Sequence, residues 1–335
     1  MDQVRVAGVG LTHFGAHPDR TGRDLFAEAA AAALGETDVP REDVEALLYG
    51  NFMGEVTEAQ GHQGPLMAEA AGLRVPATRY ESACASAGVA VREAVKRVRS
   101  GEADVLLVGG AERMHNVGTA GATEGLAMAA DDLYEVRAGV TFPGAYALMA
   151  RAYFERFGGT REDLAHVAVK NHANALENEY AQFRREVTVE EALEAPIIAE
   201  PLGLFDACPI TDGAAALVLV SGSYAGEHDL DAPVAITGSG QGGDSLALQD
   251  RADVARAPAT ADAAEEAYAE AGIRASDVGF AEVHDCFTIA EVLAIEELGF
   301  YEAGEGVGAA RDGETTRDGD LPVNLSGGLK AKGHP

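Results

Sequence analysis

Lysine is almost missing from this chain: Lys96, Lys170, Lys330 and Lys332 are the only four among 25 basic residues. Asp and Glu outnumber all basic side chains 55 to 25, which gives a formal net charge of −30. A surface so poor in cations cannot grip nucleic acid or an anionic membrane, and neither is expected as a partner. No run approaches the ~18 apolar residues that a membrane helix needs. The opening Met1, Asp2 and Gln3 lack a basic-then-apolar signal peptide. These absences predict a soluble, cytoplasmic protein. Three cysteines, unevenly spaced and without a Cys-x-x-Cys pair, give neither a disulfide framework nor a zinc pattern.

What is present is enough for a sizeable core: 335 residues, 47% of them apolar, fit one large or two medium domains. The acidic excess repels itself in dilute salt and is screened at molar salt, where the Debye length is about 3 Å. This composition points to a halophile's protein, with an ordinary acidic enzyme as the alternative.

The chain repeats itself. Val4–Gly10 and Val234–Gly240 are strand-like and carry apolar residues and glycines in matching places. Each is followed by an Ala-rich amphipathic helix, Asp24–Leu34 or Asp262–Ala271, ending at a glycine (Gly35, Gly272) suited to a C-cap. Each continues through an Asp-Val turn (Asp43-Val44, Asp277-Val278) into a second strand, Ala46–Tyr49 or Phe280–Val283. A fourth match sets Val75-Pro76-Ala77-Thr78 beside Leu321-Pro322-Val323-Asn324. Four matches in one order predict a duplicated α/β domain.

The first copy goes on with a helix (Ala85–Arg99), a strand (Asp104–Gly109) and the apolar run Asp212–Val220. Residues 113–200 form an insertion, partly helical over Arg161–Asn178, that the second copy lacks; insertions of this size usually carry function. The expected organisation is a first half over 1–112 and 201–230, an inserted loop domain over 113–200, and a second half over 231–335. By the logic of the repeat the second half lacks a helix and two strands, so the polypeptide is expected to continue for about 45–60 residues.

Chemistry concentrates at strand ends, where α/β folds build their sites. Cys84, in Glu81-Ser82-Ala83-Cys84-Ala85-Ser86, sits between a strand and a helix N-terminus. The unpaired N–H groups and positive dipole end there would favour thiolate over thiol. The same local pattern also suits a buried, inert cysteine. His284 and His334 follow the second and third strands of the second copy. Duplication therefore points one cysteine and two histidines toward a common crevice. Gly238–Gly243 follows a strand-like segment as a dinucleotide loop would, but no G-x-G-x-x-G helix start follows it, and NAD binding is rejected. His13, His17, His62, His115 and His228 have no supporting context and read as surface or structural.

Ser82-Ala83-Cys84-Ala85-Ser86, His284-Asp285-Cys286-Phe287 and the stretch Gly327–Pro335 (Gly-Gly-Leu-Lys-Ala-Lys-Gly-His-Pro) resemble the active-site loops of thiolases. The archaeal and sterol-carrier-protein-like branch is the nearest in pattern, with His-Asp-Cys-Phe where other thiolases have Asn-Glu-Ala-Phe. Asp212–Ala216, Lys170-Asn171-His172 and Tyr180–Phe183 also resemble that branch. The resemblance implies an α/β thiolase fold, two βαβαβαββ halves in a five-layer αβαβα sandwich. It implies no cofactor beyond coenzyme A thioesters as substrates.

Carried over, Cys84 is the acylated nucleophile, His334 its general base, and His284 completes an oxyanion hole. The further acid/base of a Claisen condensation is either Cys286 or a residue of the expected tail; Cys286 otherwise reads as a passive small residue. Cys208 lies where the family runs along the pantetheine arm, and reads as a substrate contact or a packing cysteine. Lys170 and His172 would meet the nucleotide phosphates or form a solvated helix face. The implied partners are a second copy of the chain (dimer or dimer of dimers), a zinc-ribbon/OB-fold companion protein and hydroxymethylglutaryl-CoA synthase. The expected reaction joins two acetyl-CoA into acetoacetyl-CoA or thiolyses a 3-ketoacyl-CoA. A decarboxylating condensing enzyme and a non-catalytic scaffold subunit are the alternatives.

Overall fold

A computed structural model describes residues 2–335. The chain gathers into two compact units. The first holds residues up to Gly125 with Thr211–Ser239 and Pro335; the second holds Leu126–Ile210 with Gly240–His334.

The first unit is built on one mixed sheet. Its strands are β1 (Val4–Leu11), β2 (Ala46–Gly50), β3 (Ala77–Tyr80), β4 (Val105–Arg113), β5 (Asp212–Ser221) and β6 (Val234–Ile236), in the order β3-β2-β4-β5-β1-β6. β2 runs parallel to β3 and β4, while β5 is antiparallel to β4 and β1. Parallel strands need both faces covered, and the alternation of side chains supplies both. Leu47, Tyr49 and Leu107 pack with Leu25, Phe26, Ala29 and Ala33 of α1 (Gly22–Gly35). Leu48, Leu106 and Val108 pack with Ala90, Ala94, Val95 and Val98 of the helix Ser86–Ser100. Thr21 starts α1 with a reciprocal cap from Asp24. Gly35 is not the C-cap expected of it: Glu36 takes that place in right-handed geometry, with its carboxylate accepting the Val9 N–H at 3.0 Å. β6, the strand that opens the second copy, pairs antiparallel with β1 and so extends this sheet.

The second unit is mainly helical. Its helices include Phe142–Phe157, capped by Thr141, and Arg161–Ala175, capped reciprocally by Thr160 and Asp163. Pro258–Ala271 ends at Gly272 in left-handed conformation, as a glycine C-cap should. Thr288–Glu297 is buried on almost every side, and with Tyr153, Leu164 and Val167 its Ile289, Val292 and Leu293 form the core. The strands expected over Phe280–Val283 and from Leu321 do not form a ladder. A single parallel bridge joins Ala281 to Val323, and Phe280 is 61% exposed. Two strands without flanking neighbours or a covered face are marginal, and here pairing stops at one bridge. Among the described residues no helix is long and apolar enough to cross a membrane.

Candidate active site

Cys84 lies in the first unit, in the turn between β3 and the helix Ser86–Ser100. The turn is tight: Ala83 sits at φ +46°, the Ser82 N–H donates to Ser86 Oγ at 2.9 Å, and Ser86 Oγ donates to Ala83 O at 2.6 Å. The helix starts two residues after the cysteine, behind an Ala85 N-cap that offers no side-chain acceptor. Cys84 keeps an exposed outer face, but protein packed around the sulfur pushes the thiol up to about 11, and the Glu112 carboxylate adds to the rise. The open face moderates the size of that effect; the upward direction stands. The expected lowering by the helix dipole is therefore corrected, because that field fades within a turn and burial outweighs it.

Glu112 was not singled out from the sequence. It is the penultimate residue of β4, beyond the Gly109-Gly110 pair, takes the N–H groups of Phe52 and Met53, and is itself pushed up to about 7 by burial. The signal for it was position: a carboxylate at a strand end of an α/β sheet.

His284 and His334 lie in the second unit and meet there. Their ring centroids are 4.9 Å apart at 86°, an edge-to-face pair. His284 lies in the loop before Thr288–Glu297, four residues ahead of the helix. His334 follows the one-turn π-helix Gly328–Lys332 and bridges in parallel to Ile210. His284 also keeps an exposed face, but burial, and then the neighbouring His334, push its pKa down to about 3. The ring is neutral at ordinary pH and offers one N–H donor without a charge. Beside it opens a cavity of about 340 Å³, whose lining includes Phe142, Tyr146, Met149, Leu248 and Leu293.

The other candidates are packed away. Cys286 is 5% exposed in the apolar cluster of the second unit, with Cys208 partly buried against it. The Cys208 N–H donates to Cys286 O at 2.9 Å, and neither cysteine lines the cavity. Lys170 is 5% exposed, with Nζ donating to Val323 O at 2.8 Å and lying 2.6 Å from Glu291 Oε1. The second contact is an ion pair without hydrogen-bond alignment, since the aligned bond goes to the carbonyl. His172, 1% exposed, lies between the rings of Phe183 and Phe205, and burial pushes its pKa down to about 4. Neither a phosphate contact nor a solvated helix face describes these two residues. His17 and His115 give their backbone N–H groups to the buried Asp212, and His228 stacks on Tyr224.

Two family models match the chain: one described as the N-terminal domain of thiolase over residues 4–223, the other as thiolase C-terminal domain-like over residues 240–335. The acetyl-CoA acetyltransferase of Methanothermobacter thermautotrophicus is 44% identical over 336 residues, covering 100% of this chain and 87% of that protein. The benzoylsuccinyl-CoA thiolase subunit BbsB of Thauera aromatica is 36% identical, covering 99% of this chain and 85% of its own length. Among solved structures, the Ltp2-ChsH2(DUF35) aldolase superposes with a TM-score of 0.84 at 28% identity, over 98% of this chain and 85% of that one. With its mixed α/β architecture and these matches along nearly its whole length, the chain belongs to the thiolase family of acyltransferases.

Proposed function

We propose that the chain exchanges acyl groups between coenzyme A thioesters through an acyl-Cys84 intermediate, joining two acetyl-CoA or thiolysing a 3-ketoacyl-CoA. The observation that carries this reading is the His284–His334 pair, in which His284 is held neutral. Because Cys84 rests as a thiol, a base must take its proton, and His334 is assigned that role. The thiolate then attacks the thioester carbonyl, the acyl group moves to sulfur, and coenzyme A leaves as its thiol with the proton returned from His334. In the condensing half, the α-carbon of a second thioester loses a proton and its enolate attacks acyl-Cys84. A neutral His284 N–H stabilises the oxygen on which that enolate charge develops. Cys286, enclosed in apolar packing, is assigned a structural role, and the acid/base at the α-carbon is left to another group.

The cavity beside His284 supports a second reading of substrate. Ligand pockets span roughly 300–1,000 Å³, and an apolar space of about 340 Å³ exceeds what an acetyl group fills. Apolar 3-ketoacyl chains longer than acetoacetyl are therefore proposed as substrates. A relative named as a subunit and another named for two components support a companion protein. The −30 charge supports a halophile's protein, and the thiolase family membership supports a homo-oligomer. The test is thiolysis of acetoacetyl-CoA and of longer 3-ketoacyl-CoAs at molar salt, with radiolabelled acetyl-CoA to trap the acyl-enzyme. No turnover of any chain length, or label away from Cys84, refutes the reading.

A further inference from the structure

Asp285 follows His284 directly and is fully buried. Its Oδ1 accepts the Leu329 N–H at 2.6 Å, and its Oδ2 accepts the Lys330 N–H at 3.2 Å and the Asn171 amide at 2.7 Å. Leu329 and Lys330 belong to the π-helical turn that leads through Gly333 to His334. Gly328, at φ +58°, passes so close that any Cβ would run into the Asp285 carboxylate, so the turn is shaped around that group.

The carboxylate is braced from behind. Asn171 Nδ2 also donates to Glu291 Oε2 at 2.9 Å, which accepts from Asn324 Nδ2 at 2.7 Å, and Lys170 stands against the other oxygen of Glu291. Burial and the Glu291 carboxylate oppose ionisation of Asp285, whereas the two backbone N–H groups and Lys170 favour it. A carboxylate held in such surroundings costs free energy unless its bonds are used. Its bonds are used to hold two histidine-bearing segments together.

We propose that Asp285 is a positioning residue: its one carboxylate joins the loop of His284 to the turn of His334 and sets the spacing of the two rings. The proposal rests on the reading of those histidines as the catalytic pair. Rings set this way need their supports locked by buried hydrogen bonds, since a misplacement of about 1 Å costs on the order of 10²-fold in rate.

The test is Asp285→Asn in the full chain. The amide keeps the shape but turns an N–H₂ toward a backbone N–H. The expected result is a fall in kcat of about 10²-fold with KM within about threefold. The imidazole NMR resonances of His284 and His334 should both shift, and the melting temperature should stay close to that of the parent. Parental kcat, or unmoved histidine resonances, overturns the proposal. Should D285N fail to fold, Asn171→Ala, which removes one bond from Asp285 and touches neither histidine, carries the test. It should lower kcat about tenfold, and parental kcat there overturns the proposal equally. His284→Ala is measured alongside. If H284A is fully active, the reading of the catalytic pair fails; an inactive H284A beside a fully active D285N sinks only the role of Asp285.

Discussion

Replacing Lys170 by Met should destabilise the protein severely while leaving substrate affinity alone. Lys170 and Glu291 have side chains 4% and 1% exposed, 2.6 Å apart. Methionine fills nearly the same volume, so little is lost in packing. What remains is a carboxylate with two amide donors, Asn171 and Asn324, and no cation. Breaking a buried ion pair from one side typically costs about 3–5 kcal/mol, a large share of a native stability of about 5–15 kcal/mol. The measurement is urea unfolding at fixed molar KCl, with Glu291→Gln and the double variant completing a cycle. Glu291→Gln removes the stranded charge, so the double variant should be more stable than the sum of the two changes predicts, by about 1–3 kcal/mol. The KM for acyl-CoA should stay at the parental value, because the Lys170 ammonium is committed to Glu291 and Val323 O. A K170M protein within about 1 kcal/mol of the parent, or a raised KM at unchanged stability, would refute the reasoning and return Lys170 to the substrate.

Cys84→Ser should abolish both acyl exchange and condensation, and a radiolabelled acyl group should be found on the Cys84 peptide; label elsewhere sinks the assignment. His284→Ala should slow condensation about 10²–10³-fold more than it slows acylation, and an equal loss in both half-reactions would make His284 structural. In a His334→Ala variant, alkylation of Cys84 by iodoacetamide should rise about tenfold per pH unit until the thiol titrates near its raised pKa of about 11; a plateau below pH 8 would contradict that. Activity and the oligomer should fade below a few tenths molar salt as screening of the −30 charge weakens, and full activity in dilute buffer ends the halophile reading.

How legible the fold was depended on how local its causes are. Helix starts came within two residues, at Asp24 for Gly22 and at Arg161 itself, because the causes are local: Thr21 caps with Asp24, and Thr160 with Asp163. The strand expected over Asp104–Gly109 was readable because burial on both faces leaves the unbroken apolar string Val105–Val108 at its start, although the strand runs on to Arg113. Phe280–Val283 has the same local character as Ala46–Gly50, yet only the latter pairs on both sides. Pairing depends on segments far away in sequence, and a repeat comparison carries no account of them. Gly35 and Gly272 show the same limit at helix ends. One is the left-handed cap expected, and the other is displaced because Glu36 stays helical and bonds across to β1.

Candidate residues could be named from short sequence strings, whereas the electrostatics around them could not be read there. Cys84, His284 and His334 were singled out from short strings read as strand ends; in the structure only Cys84 follows a strand, while His284 follows a single bridge at Ala281 and His334 follows a π-helical turn. The charge states of Cys84 and His284 depend on how much protein surrounds each group and on a neighbour, Glu112 for Cys84 and His334 for His284, which local sequence does not display. The direction inferred for Cys84 from the helix dipole is reversed for that reason, and the base already assigned to His334 becomes a requirement rather than an aid. A thiolate formed by a helix dipole could attack unaided, whereas a thiol pushed upward needs a base placed to within a fraction of an ångström. The need for placement then gives Lys170, Asn171 and Glu291 a reason to be buried. Lys170, expected at a phosphate or on a solvated helix face, instead stands with Asn171 and Glu291 behind Asp285, whose carboxylate holds the turn that leads to His334.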